Sequence, residues 1–234
     1  MKNVLICGNC GKENAFFKLN CTGCRSFLRA RIVNIDFWDT VWKIFYSPVS
    51  TAEKIIQAEN KNYLVTSGLL TAFKFSLVSL MLLNFSVGKT LGDQPYFNGM
   101  MRGSLPFLIS TLLFSIAVTF INKSVGIESR IKDNIAIYFF SFVPVNFSLF
   151  ILAPIQFALF GEYWFTFNPS PFIMKPQSAI VIIILEFGML IWSAFLFVAS
   201  TYAQSKNKVY SAAVGLSGFF LILLSVLIFS FFAI

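Results

Sequence analysis

Five stretches of this chain, Leu64 to Val87, Ser104 to Asn122, Ile135 to Phe160, Ser178 to Ser200 and Val209 to Ile234, are apolar almost throughout. A helix rises about 1.5 Å per residue and a bilayer's hydrocarbon core is about 30 Å thick, so each run is long enough to cross it. The chain is 57% hydrophobic and 12% charged over 234 residues. A soluble domain carries about 25% charged residues, so this composition has to be solvated largely by lipid. The expected fold class is an all-α membrane protein, a bundle of five transmembrane helices over residues 64–234. Ahead of it stand a polar head (residues 1–31) and an amphipathic interfacial connector (residues 32–63).

The charges test this division. Nine of the 18 Lys and Arg lie between Lys2 and Lys61. With the amino terminus inside, segments 1–63, 123–134 and 201–208 hold fourteen of them, against three in 88–103 and 161–177. That asymmetry is expected of a chain whose basic loops stay cytoplasmic, and five crossings then put the C-terminus on the opposite side. The first residues, MKNVLICGNCGKEN, lack the apolar core and small-residue cleavage site of a signal peptide, so the amino terminus is expected to stay where it was made. The net charge of +8 belongs mainly to this end and suits anionic lipid headgroups. No soluble module with cations facing one groove is present, so nucleic acid is not an expected partner.

All four cysteines fall in one window, as Cys7-x2-Cys10 and Cys21-x2-Cys24 with ten residues between. Each pair forms a tight turn that aims two sulfurs at one point, and Gly8, Gly11 and Gly23 ease the backbone where amides approach them. Together they supply a complete tetrahedral sulfur set, the pattern of a zinc ribbon with structural Zn2+. Three other readings compete. Disulfides need an oxidising compartment; a thioredoxin-like pair needs an α/β domain that about thirty residues cannot build; an iron–sulfur cluster also takes four cysteines, usually at other spacings. With no open coordination position, the metal is expected to fold the head and not to catalyse.

In the connector, Asp36 can cap a helix on which Phe37, Trp38, Val41, Trp42 and Phe45 recur at helical spacing, with Asp39 and Lys43 elsewhere on its circumference. Such a helix belongs at the membrane surface. Ser47-Pro48 interrupts it, and Ser50-Thr51-Ala52-Glu53 reads as a capping box that starts a second amphipathic helix through Ile55, Ile56 and Ala58. Tyr96, Phe97, Tyr163 and Trp164 fall where a membrane boundary favours aromatic rings. Pro144 and Pro154 should kink the third crossing, and Ser211, Gly215 and Gly218 suggest a closely packed face on the fifth.

The Trp- and Phe-rich segment, the turn Tyr46-Ser47-Pro48, the short helix with Glu53, Lys54 and Ile55, the Asn62-Tyr63 entry and five crossings together resemble the Yip1 family, in its prokaryotic form with an added zinc ribbon. The resemblance covers residues 36–234. It implies a non-enzymatic membrane protein that binds partner proteins; no residues here map onto a GTPase-binding motif. The head also resembles those of other bacterial zinc-ribbon membrane proteins whose crossings differ. The family and the missing signal peptide together imply a bacterial inner membrane.

Two ionisable residues fall inside crossings, Lys74 and Glu186, at nearly matching depths. They are expected to face each other or to share a polar pocket with Asn146 or Gln156, either fixing helix register or lining a polar path. The chain has no His, nucleophile motif or phosphate loop, so an enzyme is not expected. The expected function is a membrane adaptor or scaffold that binds lipid and other membrane or cytoplasmic proteins through its head and crossings. The alternative is a transporter, or an accessory subunit of one, with its small-molecule substrate left open.

Overall fold

The computed structural model describes the backbone of residues 3–87 and 96–232 and the side chains of residues 3–84 and 99–231. Two short strands, β1 (Val4–Ile6) and β2 (Glu13–Ala15), pair antiparallel with Val4 opposite Ala15. Helices follow: α1 (Phe37–Tyr46), α2 (Pro48–Gln57), α3 (Leu64–Val87), α4 (Tyr96–Ser124), α5 (Ile131–Phe140), α6 (Val143–Phe147), α7 (Ala153–Phe160), α8 (Tyr163–Thr166), α9 (Pro171–Met174), α10 (Pro176–Ser205) and α11 (Lys208–Phe232). Among the described residues, five spans are long and apolar enough to cross a membrane: Leu64–Asn84, Gly99–Ser124, Val143–Phe160, Pro176–Ser205 and Lys208–Phe231. Their length and composition make this an integral membrane protein.

The third crossing breaks where its prolines remove backbone donors. Ser141 and Phe142 form a turn ahead of Pro144, and residues Ser148–Leu152 widen into a π turn in which Ala153 N donates to Ser148 O. Pro154 then opens α7 from its first turn.

The connector corrects one expectation. Asp36 does cap α1, accepting from Asp39 N at 2.9 Å. No capping box starts α2, however. The helix begins at Pro48, whose fixed φ suits a first position, and the hydroxyls of Ser50 and Thr51 turn back to Ser47 O at 3.1 and 2.8 Å. Helix α2 buries Thr51, Ala52, Ile55 and Ile56 and packs on α5.

The chain forms two compact units. One comprises Met1–Val65, Leu113–Ser141 and Phe195–Gly218. Its aromatic core sets Tyr138 between Phe114 and Phe197, at centroid distances of 5.0 and 5.1 Å. The close packing expected of the fifth crossing is found here. A Cβ on Gly215 would stand 2.8 Å from Val198 Cα, and one on Gly218 would overlap the Phe114 ring.

The other unit comprises Thr66–Leu112, Phe142–Ala194 and Phe219–Ile234. Phe75, Phe107 and Phe142 cluster at its core, with Phe107 4.9 Å from Phe75 and 5.0 Å from Phe142. A second cluster joins Phe160, Trp164, Ala179 and Ile182. Trp164 is therefore a buried core residue and not a boundary anchor, because α8 folds its ring back onto Phe160 at 5.2 Å. The side chains of Tyr96 and Phe97 lie outside the described residues.

Candidate metal centre and buried ion pair

Each cysteine pair sits in the same local fold. Cys7 N donates to Lys12 O at 3.0 Å and Gly11 N to Cys7 O at 2.9 Å; Cys21 N donates to Ser26 O at 2.9 Å and Arg25 N to Cys21 O at 3.1 Å. The fourth residue after the first cysteine is left-handed in both turns, Gly11 at φ 72° and Arg25 at φ 61°. Gly8 meets no such need, whereas Gly23 leaves room beside the sulfurs of Cys10 and Cys21.

The four sulfurs converge. All lie within 4.8 Å of one another, with Cys7 to Cys24 and Cys10 to Cys21 both at 3.5 Å. Four sulfurs at about 2.3 Å from a tetrahedral ion stand about 3.8 Å apart, so the set fits a metal ion. The separations are too long for a disulfide, whose sulfurs lie about 2.05 Å apart.

Neighbours favour thiolates at two positions. The Ser26 hydroxyl and amide bring the Cys24 thiol down to about 5, and the amides of Cys24 and Gly23 lower Cys21. At Cys10 the Lys12 amide also favours the thiolate, but the hydrogen bonds that the Cys10 thiol donates to Cys21 and Cys24, with burial, outweigh it and push the thiol up to about 11. Crowded thiolates repel, and a cation among them removes that cost.

Basic residues tie this centre to the connector and α5. Arg130 stacks its guanidinium 4.3 Å from the Phe17 ring centre, bonds both oxygens of Asp133 at 2.6 and 3.1 Å, and reaches Ile56 O at 2.9 Å. Arg29 donates to Phe17 O at 2.9 Å and Gln57 O at 2.8 Å, while its Nε is buried without a partner. Lys61 pairs with Asp133 at 2.9 Å and donates to the carbonyls of Ile55, Ile56 and Ala58. Burial pushes its ammonium down to about 8, with Asp133 pulling the other way. The sequence places Asp133 in a loop between crossings, but α5 starts at Ile131 and buries it completely.

Lys74 and Glu186 meet. Lys74 Nζ lies 2.6 Å from Glu186 Oε1, and Lys74 is only 4% exposed. Gln156 Nε2 donates to the same oxygen at 2.7 Å, and the Ser148 hydroxyl to Oε2 at 2.6 Å. Of the two amides expected nearby, Gln156 is in the site. Asn146 is not, because it bonds Thr71 at 2.9 Å and Ser67 at 3.4 Å. Ser148 opens the π turn, so a side chain of the irregular segment supplies a donor to the carboxylate.

A buried amide network lies beyond what the sequence suggests. Asn122 Nδ2 donates to Gln204 Oε1 at 2.9 Å, Gln204 Nε2 to Asn134 Oδ1 at 2.6 Å, and Asn134 Nδ2 to Thr119 Oγ1 at 2.7 Å; Tyr210 donates its hydroxyl proton to Asn122 at 2.6 Å. The only signal for it is that Asn122, Asn134 and Gln204 each stand at the edge of an apolar run.

On α1, Thr40, Val41 and Ile44 are buried, Phe37 and Phe45 are half-buried, and Trp38 and Trp42 are 67% and 59% exposed. The two indoles lie on the side of α1 turned away from the protein core. Among known proteins, no family model, curated protein or solved structure matches this chain.

Proposed function

We propose that this protein is a non-enzymatic membrane adaptor whose zinc-braced head and interfacial helix α1 form one cytoplasmic docking surface. The observation that carries this reading is the anchoring of the head. Arg130, just ahead of α5, and Arg29 of the head both bind Phe17 and reach α2 carbonyls, so the head is fixed to the connector. A head built only to float above the membrane would not need these buried contacts. Four cysteines with no open position suit structural Zn2+ in a zinc-ribbon fold. Trp38 and Trp42 suit the headgroup layer, the basic residues of segments 1–63, 123–134 and 201–208 support a cytoplasmic side for that face, and a bacterial inner membrane is the setting that the family resemblance implies. The resemblance to the Yip1 family points the same way.

A second reading is a transporter or a transporter's accessory subunit, favoured by the π turn beside the Lys74 and Glu186 pair. The two separate in one experiment on protein reconstituted in liposomes and recovered from mild detergent. Trp38→Ala with Trp42→Ala should abolish capture of partner proteins, while Lys74→Met with Glu186→Met, which strands no charge, should leave capture intact. Capture that survives the tryptophan changes but is lost in the folded Lys74→Met, Glu186→Met form contradicts the adaptor reading.

A further inference from the structure

A cavity of about 310 Å3 opens beside the ion pair. None of its residues belongs to the docking surface, so a ligand in it would neither require nor exclude an adaptor role. Its wall is apolar, with Val78, Trp164 and Leu227 among its residues, apart from Lys74, Gln156 and Glu186. Two of these polar groups keep unused hydrogen-bonding capacity there. An ammonium has three donors. Glu186 takes one from Lys74, and among the described residues no second acceptor reaches it. Gln156 gives its Nε2 to the carboxylate, which fixes the amide's orientation, and no described group donates to its Oε1. Lys74 is 4% and Gln156 2% exposed, so water does not freely complete either set.

We propose that this cavity binds a single-chain amphiphile drawn from the bilayer, ending in an uncharged oxygen group such as a hydroxyl. The hydroxyl oxygen accepts from Lys74 and its proton goes to Gln156 Oε1. The end group is uncharged because Lys74 and Glu186 already cancel, and a further charge would be uncompensated in a low dielectric. A dry cavity of about 150 Å3 takes a six-carbon ring, so this one has room for about twelve carbons.

Trp164 in the wall provides the test. In a form with Trp38→Phe, Trp42→Phe and Trp192→Phe, held in phosphatidylcholine nanodiscs, its fluorescence is titrated with 11,12-dibromododecan-1-ol and with 11,12-dibromododecanoate at pH 9. The alcohol should quench saturably and bind at least tenfold more tightly than the carboxylate. Val78→Phe, which fills the cavity without touching the polar groups, should weaken it at least tenfold, as should Gln156→Met, which supplies the same comparison if Val78→Phe does not fold. Quenching that rises linearly with probe mole fraction and is unchanged in these variants overturns the proposal. So does a carboxylate that binds as tightly as the alcohol.

Discussion

Lys74 Nζ and Glu186 Oε1 lie 2.6 Å apart although 112 positions separate the two residues. Each is the other's charge partner inside an apolar crossing, so removing one strands the other. Lys74→Met or Glu186→Met alone should cost about 3–5 kcal/mol. The double variant should cost less than the worse single one, because no charge is left buried. Unfolding in detergent by a titrated denaturant measures both.

The two cysteine turns carry different residues at their left-handed position. Gly11 and Arg25 are both left-handed, but only Arg25 carries a Cβ in that conformation. Arg25→Gly should stabilise the head by about 1 kcal/mol, read as slower loss of bound metal to a chelator. Gly11→Ala should speed that loss.

Helix packing makes unequal demands on glycine. A Cβ on Gly103 would overlap the Phe75 carbonyl, and one on Gly215 would stand 2.8 Å from the Val198 backbone, where nothing yields easily. Gly103→Ala and Gly215→Ala should each cost about 1–3 kcal/mol. At Gly218 the obstacle is the far edge of the Phe114 ring, which can swing, so alanine there should cost less. Gly188 has open space around it, and alanine there should be neutral or stabilising. Thermal melts of the four variants give the order.

Lys61 gives a pH dependence with a definite sign. Its ammonium titrates near 8 when folded against 10.5 when exposed, so across that window the unfolded chain holds the extra proton. Stability from this group is therefore complete above about 10.5 and lost as pH falls to 8, by on the order of 3 kcal/mol at most. The melting temperature should rise from pH 8 to 10 relative to a Lys61→Met form, which lacks the titration.

Much of this fold is legible in the sequence because it follows from local chemistry. Apolar runs longer than a bilayer is thick leave little choice but helices, and the paired cysteine turns can hardly avoid bringing four sulfurs together. The meeting of Lys74 and Glu186 is legible for the same reason that it is rare, since an isolated charge in lipid is so costly. What escapes a reading of the sequence depends on side chains from distant segments. Asp133 reads as a loop residue because its partners Lys61 and Arg130 are also charged, and only their convergence makes its burial tolerable. Trp164 reads as a boundary ring because nothing nearby in sequence shows that α8 turns it onto Phe160. Asn146 and Gln156 are both amides of the third crossing, and their types alone do not show that Gln156 meets Glu186 while Asn146 turns to Thr71 and Ser67.

Whether the four-cysteine head serves as a docking module is decided by purifying the intact protein in mild detergent beside a form with Cys7, Cys10, Cys21 and Cys24 changed to Ser. Bound metal and co-purifying proteins are quantified in both. About one zinc per chain and a defined partner are expected in the intact form, with both lost together in the variant while the membrane-spanning part stays monodisperse. Zinc in the intact form with the same proteins recovered from both would contradict a docking role for the head.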